Sequence, residues 1–358
     1  MEINRRHFMW AGVAAPFLVQ PHLVAAKQAG KYVASVQQAG QNFAVIVDAG
    51  GALLLKEPLP ERGHGAAVHT GRGRCVVFAR RPDRFALVLN TNTNHVEQMF
   101  QCPADRHFYG HGFFSPDGQY LYATENNFNA ERGVIGIYAA LNNFERVAEI
   151  DCFGVGSHEA ILMADGLTIA VANGGIATHP DYPRQKLNLA TMKSSLIYIN
   201  RMTGKFMGQV YLPPELQKLS IRHLVEGPNK TIFFGGQLQI SDSELNGLIG
   251  FHRLGDGLKL VSLPYKFSSK MKHYTGSVAA NRNKSMIAVT CPRGNQLLMI
   301  DAHTGKVTKK LKYPDVCGVA QKGSDFLASS GSGALHSSLG LDNAQFNWAW
   351  DNHLSFMP

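Results

Sequence analysis

One unit recurs along this chain: a loop, a strand, a tight turn and a second strand. The stretch GHGFFSPDGQYLYATENN (110–127) shows the unit most clearly. Alignment of the second strands places one position of each copy in register. These positions are His64, His111, His158, His223, Gly276 and Cys317. Their separations run from 41 residues (317 − 276) to 65 residues (223 − 158), a period that predicts four-stranded propeller blades.

The rest of each copy predicts two further strands. GVIGIYAA and FERVAEID follow the His111 copy, and SLIYINR and GQVYLP follow the His158 copy. Residues 31–60 contain three strands and lack a first one, which the C-terminal FNWAWDNHLSFMP can supply. His353 then takes the seventh register position, and closure of the first blade hides two sheet edges. The alternative places this segment at the outer edge of the last blade.

The expected fold is therefore all-β: a single seven-bladed β-propeller over residues 27–358. Rings of six or eight blades are the competing counts. An α/β fold is disfavoured because no long amphipathic helical periods separate the strands. PPELQKLSI (213–221) predicts one short helical turn.

The first 26 residues predict an export signal. Arg5 and Arg6 precede the apolar run AGVAAPFLV and a group of small residues, which is typical of twin-arginine signals. Cleavage is expected near Ala26, and the mature protein is expected in the periplasm. The alternative is a short anchor helix that is never cleaved. The mature sequence has no apolar stretch of about 18 residues, so no stable membrane insertion is expected after export.

The charge bears on possible partners, and the cysteine content bears on disulfides and redox motifs. The formal net charge is +9, but no dense Lys/Arg block with interleaved aromatics occurs, so nucleic acid is not an expected partner. The five cysteines, an odd number, leave at least one thiol unpaired within the chain. No CxxC or CxxCH motif is present, and Cys75 lies in a buried-strand pattern.

In a propeller, the loop that enters each first strand and the loop between the second and third strands share one face. The register residues should therefore surround one mouth of the central channel. The longest second-to-third loop, 173–195, is too long for a hairpin and is expected to form an ordered lid. It carries His179, Arg184, Lys186 and Met192.

Histidines at five of the seven register positions point to a metal, because neutral histidine is a common ligand of iron, copper and zinc. The candidate metal ligands are His64, His111, His158, His223, His353 and Cys317. Only three adjacent side chains are expected to reach one ion. Glu159 is a candidate ligand or partner of a ligand. The alternative roles are a structural clamp between blades and recognition of an anion by mouth arginines such as Arg80, Arg84 and Arg132.

A second set of mouth residues is expected to hold a cofactor or anion. These residues are Glu125, His179, Arg184, Arg222 and Arg293. The chain lacks GxSxG, Walker, HExxH and GxGxxG motifs. Two functions therefore stay open: a periplasmic accessory protein that binds a transition metal or an anionic metal chelate, and a metal-dependent enzyme, lactonase-like or an oxidoreductase, with 173–195 as its lid.

Several motifs together resemble one family over nearly the whole mature chain. They are RRHF, HGFFSPDGQYLYATEN, SHEAILMADGLTIAVANGGIATHPD, SIRHLVEG, CPRG, DVCGVA and WDNHL. The sequence is similar to the exported bacterial propellers grouped as domain of unknown function 1513. The resemblance implies a periplasmic role in iron or copper handling beside imelysin-like iron-uptake proteins. It implies no catalytic residues.

Overall fold

A computed structural model describes residues 30–182, 185–240, 248–263, 268–340 and 343–358. The expected export signal, residues 1–26, lies outside the described residues. Seven antiparallel sheets of four strands each form the blades of a β-propeller. The prediction of a seven-bladed ring is confirmed, and the six-bladed, eight-bladed and α/β alternatives are wrong.

We number the blades 1 to 7 in chain order, beginning with the sheet that contains residues 31–59. From blade 1 to blade 7, the innermost strands are Ala349–Met357, Gly63–His69, Arg106–Phe114, Ser157–Leu162, Leu219–Glu226, Ser277–Ala280 and Val316–Lys322. The second strands are Lys31–Gln38, Arg74–Ala79, Tyr120–Asn127, Thr168–Asn173, Ile232–Leu238, Met286–Cys291 and Asp325–Ser330.

The third and fourth strands complete each blade. The third strands are Gln41–Asp48, Phe85–Asn90, Arg132–Ala139, Ser195–Asn200, Ile249–His252, Gln296–Asp301 and Ala334–Ser337. The fourth strands are Leu53–Leu59, His95–Gln101, Glu145–Asp151, Phe206–Tyr211, Lys259–Leu260, Val307–Lys312 and Asn343–Gln345. Single 3-10 turns occur at Thr70–Arg72, Pro214–Leu216, Pro228–Lys230, Ser269–Met271 and Pro292–Gly294. The turn at 214–216 confirms the helical turn expected in PPELQKLSI.

The two ends of the chain share blade 1. The C-terminal strand Ala349–Met357 pairs antiparallel with Lys31–Gln38, for example Ala34 with Leu354. The outer-edge alternative for this segment is therefore wrong. Closure by the last strand removes two exposed sheet edges, and it joins residues almost the whole chain apart.

The core is divided among the seven interfaces between neighbouring blades. Side chains alternate along each strand, so one strand contributes to two interfaces. Cys75 and Val77 pack with blade 1, whereas Val76 and Phe78 pack with blade 3. This use of both faces explains the unbroken apolar runs of the second strands. All five cysteines are free and buried.

No helix among the described residues is long and apolar enough to cross a membrane.

Candidate metal centre

Each of the five blades that carry a register histidine has a β-bulge at or near that position. The pairing of the innermost strand with its neighbour shifts between Gly63 and Ala66, and between Phe108 and Gly112. The pairing also shifts at His158 in blade 4 and just before His223 in blade 5. In blade 1 the shift lies opposite the stretch from Ala34 to Val36. An extra residue in one strand turns a side chain away from the regular pleat. The bulges thus account for imidazoles that leave the blades and enter the channel.

The five register histidines meet as a single cluster. The ring centroids of His64 and His353 are 4.4 Å apart, and those of His111 and His353 are 4.6 Å apart. His158 lies 4.9 Å from His223, and His223 lies 4.7 Å from His353 across the channel. Blade 6 has Gly276 at this position, which supplies no side chain. The cluster is therefore closed by contacts between opposite sides of the ring.

Two groups of three imidazoles have metal-binding dimensions. One nitrogen each of His64, His111 and His353 lies within 4.8 Å of the others, and the same holds for His111, His158 and His223. Tetrahedral zinc–imidazole bonds place ligand nitrogens about 3.4 Å apart, so small side-chain rotations suffice. Each group comes from three consecutive blades, in the order 1–2–3 or 3–4–5. His111 belongs to both.

Several imidazole nitrogens in this cluster have no hydrogen-bond partner among the described residues. They are Nε2 of His111, Nε2 of His353 and Nδ1 of His158, all of them buried. A buried polar atom without a partner destabilises the fold by about 1–3 kcal/mol. A metal ion would use these lone pairs, so the donor set fits a transition metal.

Carboxyl groups lie close to Nδ1 of three histidines of the cluster. Nδ1 of His64 is 3.2 Å from Asp351 Oδ1, and Nδ1 of His223 is 3.3 Å from Glu159 Oε2. Nδ1 of His111 lies 3.6 Å from the second oxygen of Glu159. The Asp351 carboxylate orients the His64 ring and raises the basicity of its Nε2, as around many metal ligands. Of these three rings, His111 has a buried Nε2 without a hydrogen-bond partner among the described residues.

Burial keeps the cluster neutral. It lowers the pKa of His111, His158, His223 and His353 well below the usual 6.5, and neighbouring charged or ionisable groups lower it further. Burial also lowers the pKa of His64, although Asp351 opposes that shift. The pKa of Glu159 is raised to about 8 by burial. Neutral imidazole is the form that binds metals, so no proton has to leave near neutral pH.

Glycines beside the histidines allow this close packing. Gly110 has a φ of +97°, and a Cβ there would lie 2.6 Å from Cδ2 of His64. A Cβ on Gly65 would lie 2.7 Å from the carbonyl oxygen of Gly110. The GHG sequences at 63–65 and 110–112 thus supply both an imidazole and the space for its neighbour.

Two expected site residues make other contacts. The Cys317 thiol donates to the carbonyl oxygen of Asp351 at 3.2 Å, and burial raises its pKa to about 12. Glu125 is fully buried in blade 3, where Arg146 Nη2 donates to it at 2.9 Å and Tyr138 also donates to it. The Cys317 contact joins blades 7 and 1, the Glu125 contacts lie within blade 3, and neither residue belongs to the two imidazole groups.

The expected mouth residues have different surroundings. Arg222 precedes His223, and its buried Nε has no hydrogen-bond partner among the described residues. Arg293 lies over the ring of Tyr274, 4.9 Å from its centroid. His179 packs edge-on against Phe128. Arg184 lies outside the described residues. Arg84 donates to the Cys102 carbonyl and Arg132 to Asp151, so their charges are engaged within their own blades.

The described part of the 173–195 loop packs against the propeller. Met192 is fully buried, and Asn188 accepts from the backbone of Ala177 at 2.7 Å. Lys218 donates to the carbonyl of Ala190. Burial lowers the pKa of Lys186 in this loop, and the nearby charges of Arg222 and Arg293 lower it further. The loop therefore brings positive charge to the channel mouth.

Asp351 and Arg81 belong to the site, although neither was among the residues expected from the sequence. Asp351 stands two residues before His353, so a search for carboxylates beside each register histidine finds it, as it finds Glu159. Arg81 lies next to Arg80, and both line a cavity of about 460 Å³ at the channel mouth.

Comparisons with known proteins agree with this architecture. The structure resembles Kuenenia stuttgartiensis hydrazine synthase with a TM-score of 0.63 and 13% identity, over 82% of this chain and 87% of that chain. It resembles the β-propeller domain of Myceliophteria thermophila Cps50 (Swd1) with a TM-score of 0.58 and 9% identity, over 88% and 97%. At these identities the likeness shows the fold alone. No curated protein matches the sequence.

The family model described as "Protein of unknown function (DUF1513)" matches residues 57–357. This span includes all seven innermost strands and every histidine of the cluster. The chain belongs to the DUF1513 family.

Proposed function

We propose that this protein binds a transition metal ion at the five-histidine cluster and serves as an accessory protein in iron or copper handling in the periplasm. The observation that carries the proposal is the group of buried, neutral imidazoles at one point of the channel, several of whose nitrogens have no partner in the described part of the chain. A purely structural clamp would use these nitrogens in hydrogen bonds.

The donor type supports a metal of intermediate softness. Imidazole suits iron, copper, zinc and nickel, whereas magnesium and calcium prefer oxygen ligands. His111 is the central ligand in the proposal, because it belongs to both imidazole groups. Glu159 and Asp351 hold the rings from outside, and a cavity of about 260 Å³ lined by His111, Glu159 and His353 leaves room beside the cluster.

The cellular part of the proposal rests on the N-terminal sequence and on the family resemblance. The Arg5–Arg6 pair supports export of the folded protein, and periplasmic iron-uptake proteins are the proposed partners. Export after folding would allow a metal to be loaded before translocation.

Metal content after expression with native export tests the proposal. We expect a stoichiometric transition metal in the purified protein by plasma mass spectrometry. The metal should be lost in His111→Ala and kept in His95→Ala, which removes an exposed imidazole from an outer strand. Absence of metal from wild-type protein that also fails to bind Fe²⁺, Cu²⁺ or Zn²⁺ in titrations would overturn the proposal.

A further inference from the structure

A second feature of the channel mouth lies outside the two imidazole groups: a cavity of about 460 Å³ with a basic wall. Three blades contribute to it. Blade 2 supplies Arg62, Arg80 and Arg81, blade 3 supplies His107, and the 173–195 loop of blade 4 supplies Thr178 and His179. A volume of this size is typical of small-molecule sites.

The arginines of this wall are largely uncompensated. Arg62 pairs with Asp351. Arg80 and Arg81 form no ion pair and no side-chain hydrogen bond with any other described residue. Among the described residues that line the cavity, Asp83 is the one carboxyl group against three arginines. Positive charge therefore exceeds negative charge on the wall.

Further cations reinforce this excess. Arg222 has a buried Nε without a partner in the described part of the chain, and the charges of Arg80, Arg81 and Arg293 act on it. With burial, they lower its pKa to about 10. Lys186 is likewise subject to repulsion from Arg81, Arg222 and Arg293. Like charges held together in a partly desolvated site destabilise the protein unless an anion compensates them.

The polar groups of the neutral wall residues are already engaged. His107 donates from Nδ1 to the Phe108 carbonyl, and its Nε2 accepts from Asn126 at 3.0 Å. Burial lowers the pKa of His107 to about 4, so the ring is neutral. Asn126 also donates to the Thr178 carbonyl. Among the described wall residues, the guanidinium groups thus remain available to a ligand, and their fork geometry suits carboxylate and phosphate oxygens.

We propose that this cavity is a binding site for a compact polyanion, whose carboxylate or phosphate oxygens are bound by Arg80 and Arg81 with support from Arg222. The site does not depend on a metal. An anionic chelate with its oxygens on the arginines and its metal on the histidines would occupy this site and the proposed metal site together.

Titration calorimetry on the mature protein tests this site, with pyrophosphate and citrate as separate probes. Metal should first be removed with a neutral chelator such as phenanthroline, because carboxylate chelators are themselves polyanions. We expect saturable binding of at least one probe, weakening as sodium chloride is raised. Binding of citrate alone identifies a carboxylate site, and binding of pyrophosphate alone identifies a phosphate site.

Variants separate a defined site from general attraction to a basic protein. Arg80→Gln with Arg81→Gln should weaken binding about tenfold or more. Arg282→Gln removes the same charge at an exposed turn on the opposite face and should leave binding unchanged. If the double variant is misfolded by circular dichroism, Arg81→Gln alone replaces it. Lack of saturation with both probes, or equal loss in the variant and the control, would overturn the proposal.

The proposed metal site and the proposed anion site can be refuted independently of each other. His111→Ala removes a ligand of both imidazole groups but no residue of the basic cavity. It should abolish metal binding and preserve anion binding. Wild-type protein that binds the anion but no transition metal would refute the proposed function alone.

Discussion

His64 lies 3.2 Å from Asp351, with its Nδ1 facing the carboxylate Oδ1. His64 belongs to blade 2 and Asp351 to the C-terminal strand that completes blade 1. Arg62 donates to the other carboxylate oxygen. The pKa of this carboxyl group is far below its usual range, because the contact with His64 and the positive charges of Arg62 and Arg80 outweigh burial. Closure of the ring therefore also orients a histidine of the cluster.

Asp351→Asn should weaken metal binding about 10–100-fold, because the amide cannot stabilise the positive charge that develops on His64 upon coordination. Competition with a coloured chelator measures this affinity. Asp256→Asn, which breaks a surface pair with Arg253, is the control and should leave the affinity unchanged. Equal affinities in both variants would contradict the role assigned to Asp351.

The metal-free protein should lose stability as the pH falls below about 6.5. Histidines with pKa values lowered by burial bind fewer protons in the folded state than in the unfolded state, so stability rises with pH in this window. Each proton contributes about 1.4 kcal/mol per pH unit. Glu159, with a pKa raised to about 8, acts in the opposite direction but supplies one group against four.

Urea unfolding between pH 5 and 7.5 measures this dependence. His158→Gln should reduce the slope of unfolding free energy against pH by about one proton. His95→Ala, which removes an exposed imidazole, should leave the slope unchanged. A flat profile for the wild-type protein would show that the cluster histidines titrate normally.

Gly110→Ala should lower both the metal affinity and the stability of the folded protein. The new Cβ would contact His64, and the positive φ of Gly110 disfavours alanine by about 1–3 kcal/mol. Gly255→Ala is a matched control, because Gly255 has a φ of +91° and nothing lies within 4 Å of the Cβ that alanine would add. Both variants should lose stability in chemical denaturation, but only the first should lose metal affinity.

Trp350→Ala should destabilise the protein by about 3–5 kcal/mol. Trp350 is buried in the C-terminal strand, and its Nε1 donates to the Gly333 carbonyl at 3.2 Å. The cavity would open at the interface between blades 7 and 1, where the ring closes. Urea unfolding measures the change, and exposed Met202→Ala should stay within about 0.5 kcal/mol of wild type.

Arg5→Lys combined with Arg6→Lys should retain the precursor in the cytoplasm, because the twin-arginine pathway recognises the guanidinium pair. Cell fractionation and immunoblotting measure the distribution. A Lys27→Arg variant should be exported normally. Export of the double variant at the wild-type level would contradict twin-arginine recognition.

The sequence alone determined the fold class, a ring of four-stranded blades, and the five histidines in register, but it left the number of blades and the place of the C-terminal strand open. Local patterns specify short strands and turns, and a period near 47 residues repeats them as blades. The pairing of the C-terminal strand with Lys31–Gln38 then decided for seven blades closed in the first one. A histidine at the same register position of five blades follows from the same alignment.

Only the tertiary structure decided which side chains meet. The direction of a side chain depends on bulges and on the neighbouring blade, and neither is specified by spacing along the chain. His353 and His64 therefore join one cluster, whereas Cys317 turns to backbone carbonyls and Glu125 to arginines within blade 3. Asp351 reaches His64 because ring closure brings together strands that lie 287 residues apart in the sequence.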